Sequence, residues 1–215
     1  MGRGVLEGAF RLLEEIVDFE ECGLSKLAAR TGLPKATAHR LLEQLVELGV
    51  LERRAGRYRL GVTAFRLGTG RSHAEELRAA ARRPLRELCQ ALPGASVVLL
   101  MPDQKQAVVV SANRGEAHAV LPLSSGSRFD PGDTWLRLGA TEPDRDGFGW
   151  RYRSPFGPVI TGASASVRAL SGEVVGAVSA LVFDQRRLPA MLPAVRHAAR
   201  VASGQLARIQ RTTGR

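Results

Sequence analysis

Apolar positions at the start of the chain recur at helical spacing and then switch to alternation. Leu6, Ala9, Phe10, Leu13, Ile16 and Val17 form one face of a 3.6-residue period, predicting an amphipathic helix that ends in an acidic run before Gly23. Ser25 predicts the N-cap of a short second helix, Lys26–Thr31, with Leu24 as the preceding staple residue. Gly32 sits where a helix end takes positive φ, Leu33 can plug the turn, and Pro34 suits the first turn of a new helix. That third helix, Lys35–Leu48, buries Ala38, Leu41, Leu42, Leu45 and Val46, and Gly49 ends it. Val50–Arg54 and Arg57–Leu60 then alternate as strands around an Ala55-Gly56 turn. Three helices with a tight second-to-third turn, followed by a β-hairpin, predict a winged helix-turn-helix.

Beyond Val62 the pattern loosens. Gly68-Thr69-Gly70 reads as flexible, Glu75–Arg83 as helical, and Pro84 as a kink or fresh turn, with Leu85, Leu88 and Leu92 continuing the apolar face. Ser96–Met101 and Ala107–Ala112 predict strands around a turn at Asp103-Gln104-Lys105. Ala117–Leu123, Ile160–Val167 and Glu173–Phe183 predict three more, and Leu188–Gln210 a last amphipathic helix. The stretch Ser124–Pro158 reads as loop. The fold class is therefore α+β, with an antiparallel sheet flanked by its first and last helices. The predicted organisation is a winged helix-turn-helix at 1–68, linker helices at 69–92 and a second domain at 93–215.

The 215 residues are 44% hydrophobic and 24% charged, which is ordinary globular usage and argues against disorder. No apolar run reaches membrane-spanning length and the N-terminus lacks a signal-peptide pattern, so the expectation is a cytoplasmic protein with no membrane contact. Two cysteines, Cys22 and Cys89, lie far apart and read as inert thiols rather than a disulfide or zinc pair. Charge changes the picture more. The net is +10, mostly from arginine, which points to a polyanionic partner or to a GC-rich genome.

Position separates these two. On the third helix the residues left off the buried face are Lys35, Ala36, Thr37, His39, Arg40 and Glu43. The N-terminal turns of that helix enter the major groove in a helix-turn-helix. Arg40 can bond guanine O6 and N7 together, and Thr37 can meet a thymine methyl or a phosphate. Lys35 and the hydroxyl of Ser25 suit phosphate. Arg53, Arg54, Arg57 and Arg59 on the hairpin suit phosphate contacts or minor-groove insertion. Double-stranded DNA is the expected partner.

Leu24-Ser-Lys-Leu-Ala-Ala-Arg-Thr-Gly-Leu-Pro-Lys-Ala-Thr-Ala-His-Arg-Leu-Leu-Glu43, then Gly49-Val-Leu-Glu-Arg and Gly56-Arg-Tyr-Arg-Leu-Gly61, resembles the IclR-type bacterial transcriptional regulators over about Gly4–Gly68. Arg83-Pro-Leu-Arg-Glu-Leu and Gly172-Glu-Val-Val-Gly-Ala-Val-Ser179 extend the resemblance. It implies a GAF-like C-terminal domain for effector binding and dimerisation; two-fold reading of a palindromic operator by a homodimer, or a tetramer, is the expected assembly, with repression as the default expectation. It also implies a small organic acid effector and no cofactor. The chain departs from the family in its middle, where Ser124–Gly149 is short and lacks an Ala-x-Gly-Lys-type motif. The family's cysteine falls at Gly162, ahead of Ala163-Ser-Ala-Ser166. Ser179 keeps one of two family serines while the other is Leu181, and an acidic position falls near Tyr152. The candidate ligand contacts are Tyr152, Ser164 and Ser179, and the basic balance of residues 93–215 adds Arg128, Arg151 and Arg153 as candidate cations for an anion.

Two other classes stay open: a C-terminal domain that only dimerises or binds protein, and an enzyme or carrier with a vestigial winged helix. Catalytic motifs do not support the latter. There is no G-x-S-x-G, no H-E-x-x-H, and Gly68-Thr-Gly-Arg-Ser lacks a P-loop lysine. His73, His118 and His197 share no metal-ligand spacing.

Overall fold

The computed structural model describes residues 3–19, 21–68, 72–103, 106–121, 123–129, 147–153 and 157–212. Two compact units divide the chain, Met1–Ser72 and His73–Arg215. Among the described residues, no helix is long and apolar enough to cross a membrane.

The first unit contains α1 (Arg3–Phe19), β1 (Cys22–Gly23), α2 (Leu24–Thr31), α3 (Lys35–Glu47), β2 (Leu51–Arg54), β3 (Arg57–Leu60) and α4 (Val62–Gly68). Its core joins Leu12 and Ile16 of α1, Leu27 of α2, Ala38, Leu41, Leu42 and Leu45 of α3, and Leu51 and Tyr58 of the hairpin. The face of α1 differs from the predicted one. Leu6, Phe10 and Val17 are exposed, and Leu12 with Ile16 takes the core. Apolar residues surround α1 on more than one side, so its period admits two faces. Close approach decides: a Cβ on Gly8 would stand 3.2 Å from Leu41 Cδ1, so the side carrying Gly8 faces α3.

Ser25 is also not a cap. The helix α2 begins two residues earlier, with Gly23 at the N-cap position and no side-chain capping bond, which places Ser25 inside the first turn and exposed. Gly32 ends α2 in the left-handed region at φ 68°, as its position predicts. Pro34 stands just before α3 rather than in its first turn, and its carbonyl accepts Ala38 N at 2.9 Å.

The second unit contains α5 (His73–Ala91), β4 (Ser96–Asp103), β5 (Gln106–Asn113), β6 (Arg128–Phe129), β7 (Phe148–Arg153), β8 (Val159–Arg168), β9 (Val174–Val182) and α6 (Leu188–Thr212). The sheet order is β6-β5-β4-β9-β8-β7, and every pairing is antiparallel. Within the predicted linker helices at 69–92, residues 73–91 form one helix, and its Leu77, Ala81, Leu85 and Leu88 are core. Period-two alternation splits the sheet. Ala163, Ala165, Val178 and Ala180 face α5 and α6. Ile160, Ala177 and Leu181 face the other way, with Phe148 and Trp150 packed on them.

Two predictions for this unit are corrected. The described residues of the predicted strand Ala117–Leu123 are not a strand; a single 3-10 turn spans Glu116–Ala119. The Glu116 carboxylate accepts Phe183 N at 3.2 Å, fastening the segment across the sheet end. The edge of β5 that a strand would need is paired instead with Arg128–Phe129. Within the predicted loop lies β7, whose Phe148-Gly-Trp-Arg-Tyr-Arg153 alternates and pairs along β8.

Trp150 and Gly162 are register partners on these strands. A Cβ on Gly162 would lie 2.3 Å from Trp150 Cε2, so the indole rests directly on the glycine. Gly162→Ala is expected to displace the indole and destabilise the protein by about 1–3 kcal/mol, the usual cost of overpacking. Thermal denaturation followed by tryptophan emission checks this; an unchanged midpoint would show that the indole moves aside freely.

Candidate nucleic-acid interface

The helix α3 exposes Lys35, Ala36, His39 and Arg40, while Thr37 and Glu43 are half-buried. Its buried face pins it to α1 and α2, and an Arg30–Glu15 ion pair joins α2 to α1 from outside. Thr31 Oγ1, buried at the end of α2, donates to Leu27 O at 2.7 Å and so needs no outside partner. Ala36 offers only a methyl. Ser25 lies exposed on α2.

The hairpin pairs Leu51↔Leu60, Glu52↔Arg59, Arg53↔Tyr58 and Arg54↔Arg57, and β1 joins the far side of β3. Ala55 and Gly56 both have positive φ, 48° and 76°, the hand that matches strand twist in a two-residue turn. This geometry puts Arg54 and Arg57 opposite each other at the tip. Like charges directly opposed repel, so an anion between them relieves the pair.

The four hairpin arginines divide into two kinds. Arg59 donates from Nε and Nη2 to Glu52 Oε2 at 3.0 and 2.7 Å. Arg53 Nη1 donates to Glu43 Oε1 at 3.2 Å and its guanidinium stands 5.6 Å from the Tyr58 ring centre. Among the described residues, Arg54, Arg57, Lys35 and Arg40 make no ion pair, which leaves their charge directed outward.

Glu43 collects further partners. Tyr58 OH donates to the same Oε1 at 3.3 Å, and His39 Nε2 lies 3.9 Å from it. Burial pushes the Tyr58 phenol up; Arg53 opposes this and Glu43 adds to it, so Tyr58 is a proton donor at neutral pH. The helical pattern placed Glu43 on the open face, but its partners lie 10 and 15 residues away in the chain. Only the hairpin register brings them to it.

In the second unit the predicted ligand residues separate. Ser164 and Ser179 are buried register partners whose hydroxyls lie 2.7 Å apart. Trp150 Nε1 donates to Ser164 Oγ at 2.7 Å. Tyr152 shares the face of Trp150 by alternation and is partly exposed. Arg151 and Arg153 alternate to the opposite face, and Arg151 Nη1 donates to Gln185 Oε1 at 3.2 Å. Arg128 lies on β6 at the other edge, 3.4 Å from Asp103 Oδ2. The fold thus gathers the two serines and Tyr152 on one side and leaves the three arginines apart from them. Trp150, the residue that occupies the serine pair, was not among the sequence candidates. Its signal was the alternation of Phe148–Arg153, hidden by surrounding Gly, Pro and Asp.

Comparison with known proteins agrees with this anatomy. A profile of the IclR helix-turn-helix domain matches residues 6–55. The HTH-type transcriptional regulator KipR of Bacillus subtilis is 34% identical over 106 residues, covering 49% of this chain and 42% of that regulator's length. The glycerol operon regulatory protein of Streptomyces coelicolor is 32% identical over 206 residues, 86% of this chain and 80% of that protein. The solved IclR homolog from Microbacterium hydrocarbonoxydans, complexed with 4-hydroxybenzoate, superposes with a TM-score of 0.78 at 21% identity, covering 95% of this chain and all of that one (100%). An IclR-type regulator from Alicyclobacillus acidocaldarius gives 0.68 at 16% identity over 94% of this chain and 98% of its own. The fold likeness runs through both units, and the identity to the Streptomyces regulator extends over most of both sequences. The chain belongs to the IclR family of helix-turn-helix DNA-binding transcriptional regulators, a family of regulators and not of enzymes.

Proposed function

We propose that this regulator is a cytoplasmic repressor that binds a palindromic operator as a homodimer, each winged helix reading one half-site, under the control of a small organic acid. One observation carries the DNA reading. The first two turns of α3 expose Lys35, His39 and Arg40 with Thr37 half-buried among them, and the hairpin tip carries Arg54 and Arg57, which make no ion pair among the described residues. Arg40 reads a base edge; Lys35, Ser25, Arg54 and Arg57 hold phosphates; Ala36, Thr37 and His39 border the base edges. Arg53 and Arg59 flank the contact while held by acids of the protein. A two-fold repeat of so short a recognition element doubles the sequence read, which is the physical case for a dimer. Repression needs the fewest further features, because tight occupancy of a promoter is enough to block it.

Arg40→Ala is expected to weaken binding to a duplex selected from a random pool by about 1–3 kcal/mol, with little change on scrambled DNA. Anisotropy titrations on both duplexes check this, and an equal loss on both would remove Arg40 from base reading. Replacing Arg54 and Arg57 by Ala is expected to flatten the salt dependence by about one unit of slope each on either duplex.

For the effector, the supported location is the sheet face bearing Ser164, Ser179 and Tyr152. Its aromatic and hydroxyl character suits a small aromatic acid, the class represented by the 4-hydroxybenzoate bound to the Microbacterium relative. A second reading, in which this unit only mediates contacts between proteins, is favoured by the Trp150 indole, which already lies on Gly162 and bonds to Ser164. Titrating 4-hydroxybenzoate into the protein–operator complex separates them. Release of DNA by the wild type, weakened in Ser179→Ala, is the expected result; unaltered DNA binding across a panel of aromatic and aliphatic carboxylates favours the second reading.

A further inference from the structure

Glu43 is an acid on the side of α3 that is proposed to face a polyanion, and that placement asks for a reason. Its Oε1 receives Arg53 Nη1 from β2 and Tyr58 OH from β3, with His39 Nε2 one turn before it on α3. Arg53 and Tyr58 are themselves register partners, and the guanidinium stands over the phenol ring. Tyr58 is 1% exposed, so its ring is fixed in the core while its hydroxyl reaches the carboxylate. The three side chains tie the hairpin to the recognition helix. One residue closer to the tip, Arg54 and Arg57 have no such partner among the described residues.

Stability is a weak reason for the cluster. The Arg53 and Glu43 side chains are 48% and 40% exposed, and an ion pair this open to water contributes little to folding. The consequence is electrostatic. Arg53 bonds Glu43 through Nη1 alone, so a phosphate that draws on this guanidinium either parts it from Glu43 or approaches with the carboxylate beside it, and in both cases the acid offsets the attraction. Keeping the pair closed lowers attraction that does not depend on sequence, while fixing the hairpin relative to the base-reading groups. Specificity is the difference between two affinities, so weakening the unselective one raises it.

We propose that Glu43 is a specificity-determining positioning residue: it holds Arg53 and the Tyr58 hydroxyl against α3 and so withholds one wing cation from the DNA backbone. The inference rests on the reading of α3 and the hairpin as the DNA-contacting surface.

The test uses the full-length wild type, Glu43→Gln, Glu43→Ala and the double variant Glu43→Ala/Arg53→Ala. Each is checked for fold by circular dichroism, and Glu43→Gln keeps the side-chain shape should the alanine variant fail to fold. Binding to a duplex selected by the wild type and to a scrambled duplex of equal length is followed by anisotropy between 50 and 200 mM NaCl, roughly the range over which phosphate contacts are counted. Release of Arg53 is expected to steepen the salt slope of Glu43→Ala on scrambled DNA by about 0.9, the value of one phosphate. Glu43→Ala binds scrambled DNA several-fold more tightly and discriminates less between the duplexes. The double variant returns to the wild-type slope, and Glu43→Gln lies between. A wild-type slope in Glu43→Ala, a steeper slope that persists in the double variant, or an equal weakening on both duplexes would overturn the proposal. A wild type that selects no duplex at all would instead sink the interface reading, while the slopes on random DNA still decide the part played by Glu43.

Discussion

The buried stripe of α3 is the constraint on which the winged helix depends. Ala38, Leu41, Leu42 and Leu45 lie against Leu12 and Ile16 of α1, Leu27 of α2 and Leu51 of the hairpin. Once these side chains leave water, the rotation of α3 about its axis is fixed, because turning it would expose leucines and bury arginine. Fully burying a leucine is worth about 1.5–3 kcal/mol. Every polar group on the opposite face therefore takes its direction from apolar contacts it does not share. Gly8 is part of the same constraint, since its missing side chain lets α1 approach Leu33 and Leu41.

Charge in this unit is divided between internal and external partners. Arg30, Arg53 and Arg59 meet Glu15, Glu43 and Glu52, whereas Lys35, Arg40, Arg54 and Arg57 point outward. The inner pairs join elements that the core alone leaves free to adjust: α1 to α2, α3 to the hairpin, and one hairpin strand to the other. The basic excess of the whole chain is thus a poor guide to the interface. What matters is which cations lack an acid within reach, and the hairpin register decides that.

The second unit carries the same kind of division on a sheet. Small residues, Ala163, Ala165, Ala177 and Ala180, occupy central strands and let the helices on one side and the aromatic residues on the other pack closely. On the aromatic side, the buried hydroxyls of Ser164 and Ser179 must find partners, since an unmet buried hydroxyl costs free energy. Ser164 and Ser179 meet each other and Trp150. A ligand arriving there exchanges one satisfied arrangement for another, so its affinity is a difference between the ligand's bonds and those of the indole.

From its sequence alone the chain specifies the three helices of the winged helix in order, the turn at Gly32, the hairpin around Ala55-Gly56 and the outward face of α3. These features follow from local spacing and backbone preference, acting over a few residues. The resemblance carried by Leu24–Glu43 likewise lies in one continuous stretch. The core face of α1 was not settled, because apolar residues on several sides satisfy the period equally and only contact with α3 selects among them. The strand β7 was hidden because its alternation is short and its stability comes from pairing with β8, whose partners lie later in the chain. Glu43 with Arg53 and Tyr58, and Trp150 with Ser164 and Ser179, were beyond local reading for the same reason. Each joins groups that only strand register and helix packing bring within hydrogen-bond distance.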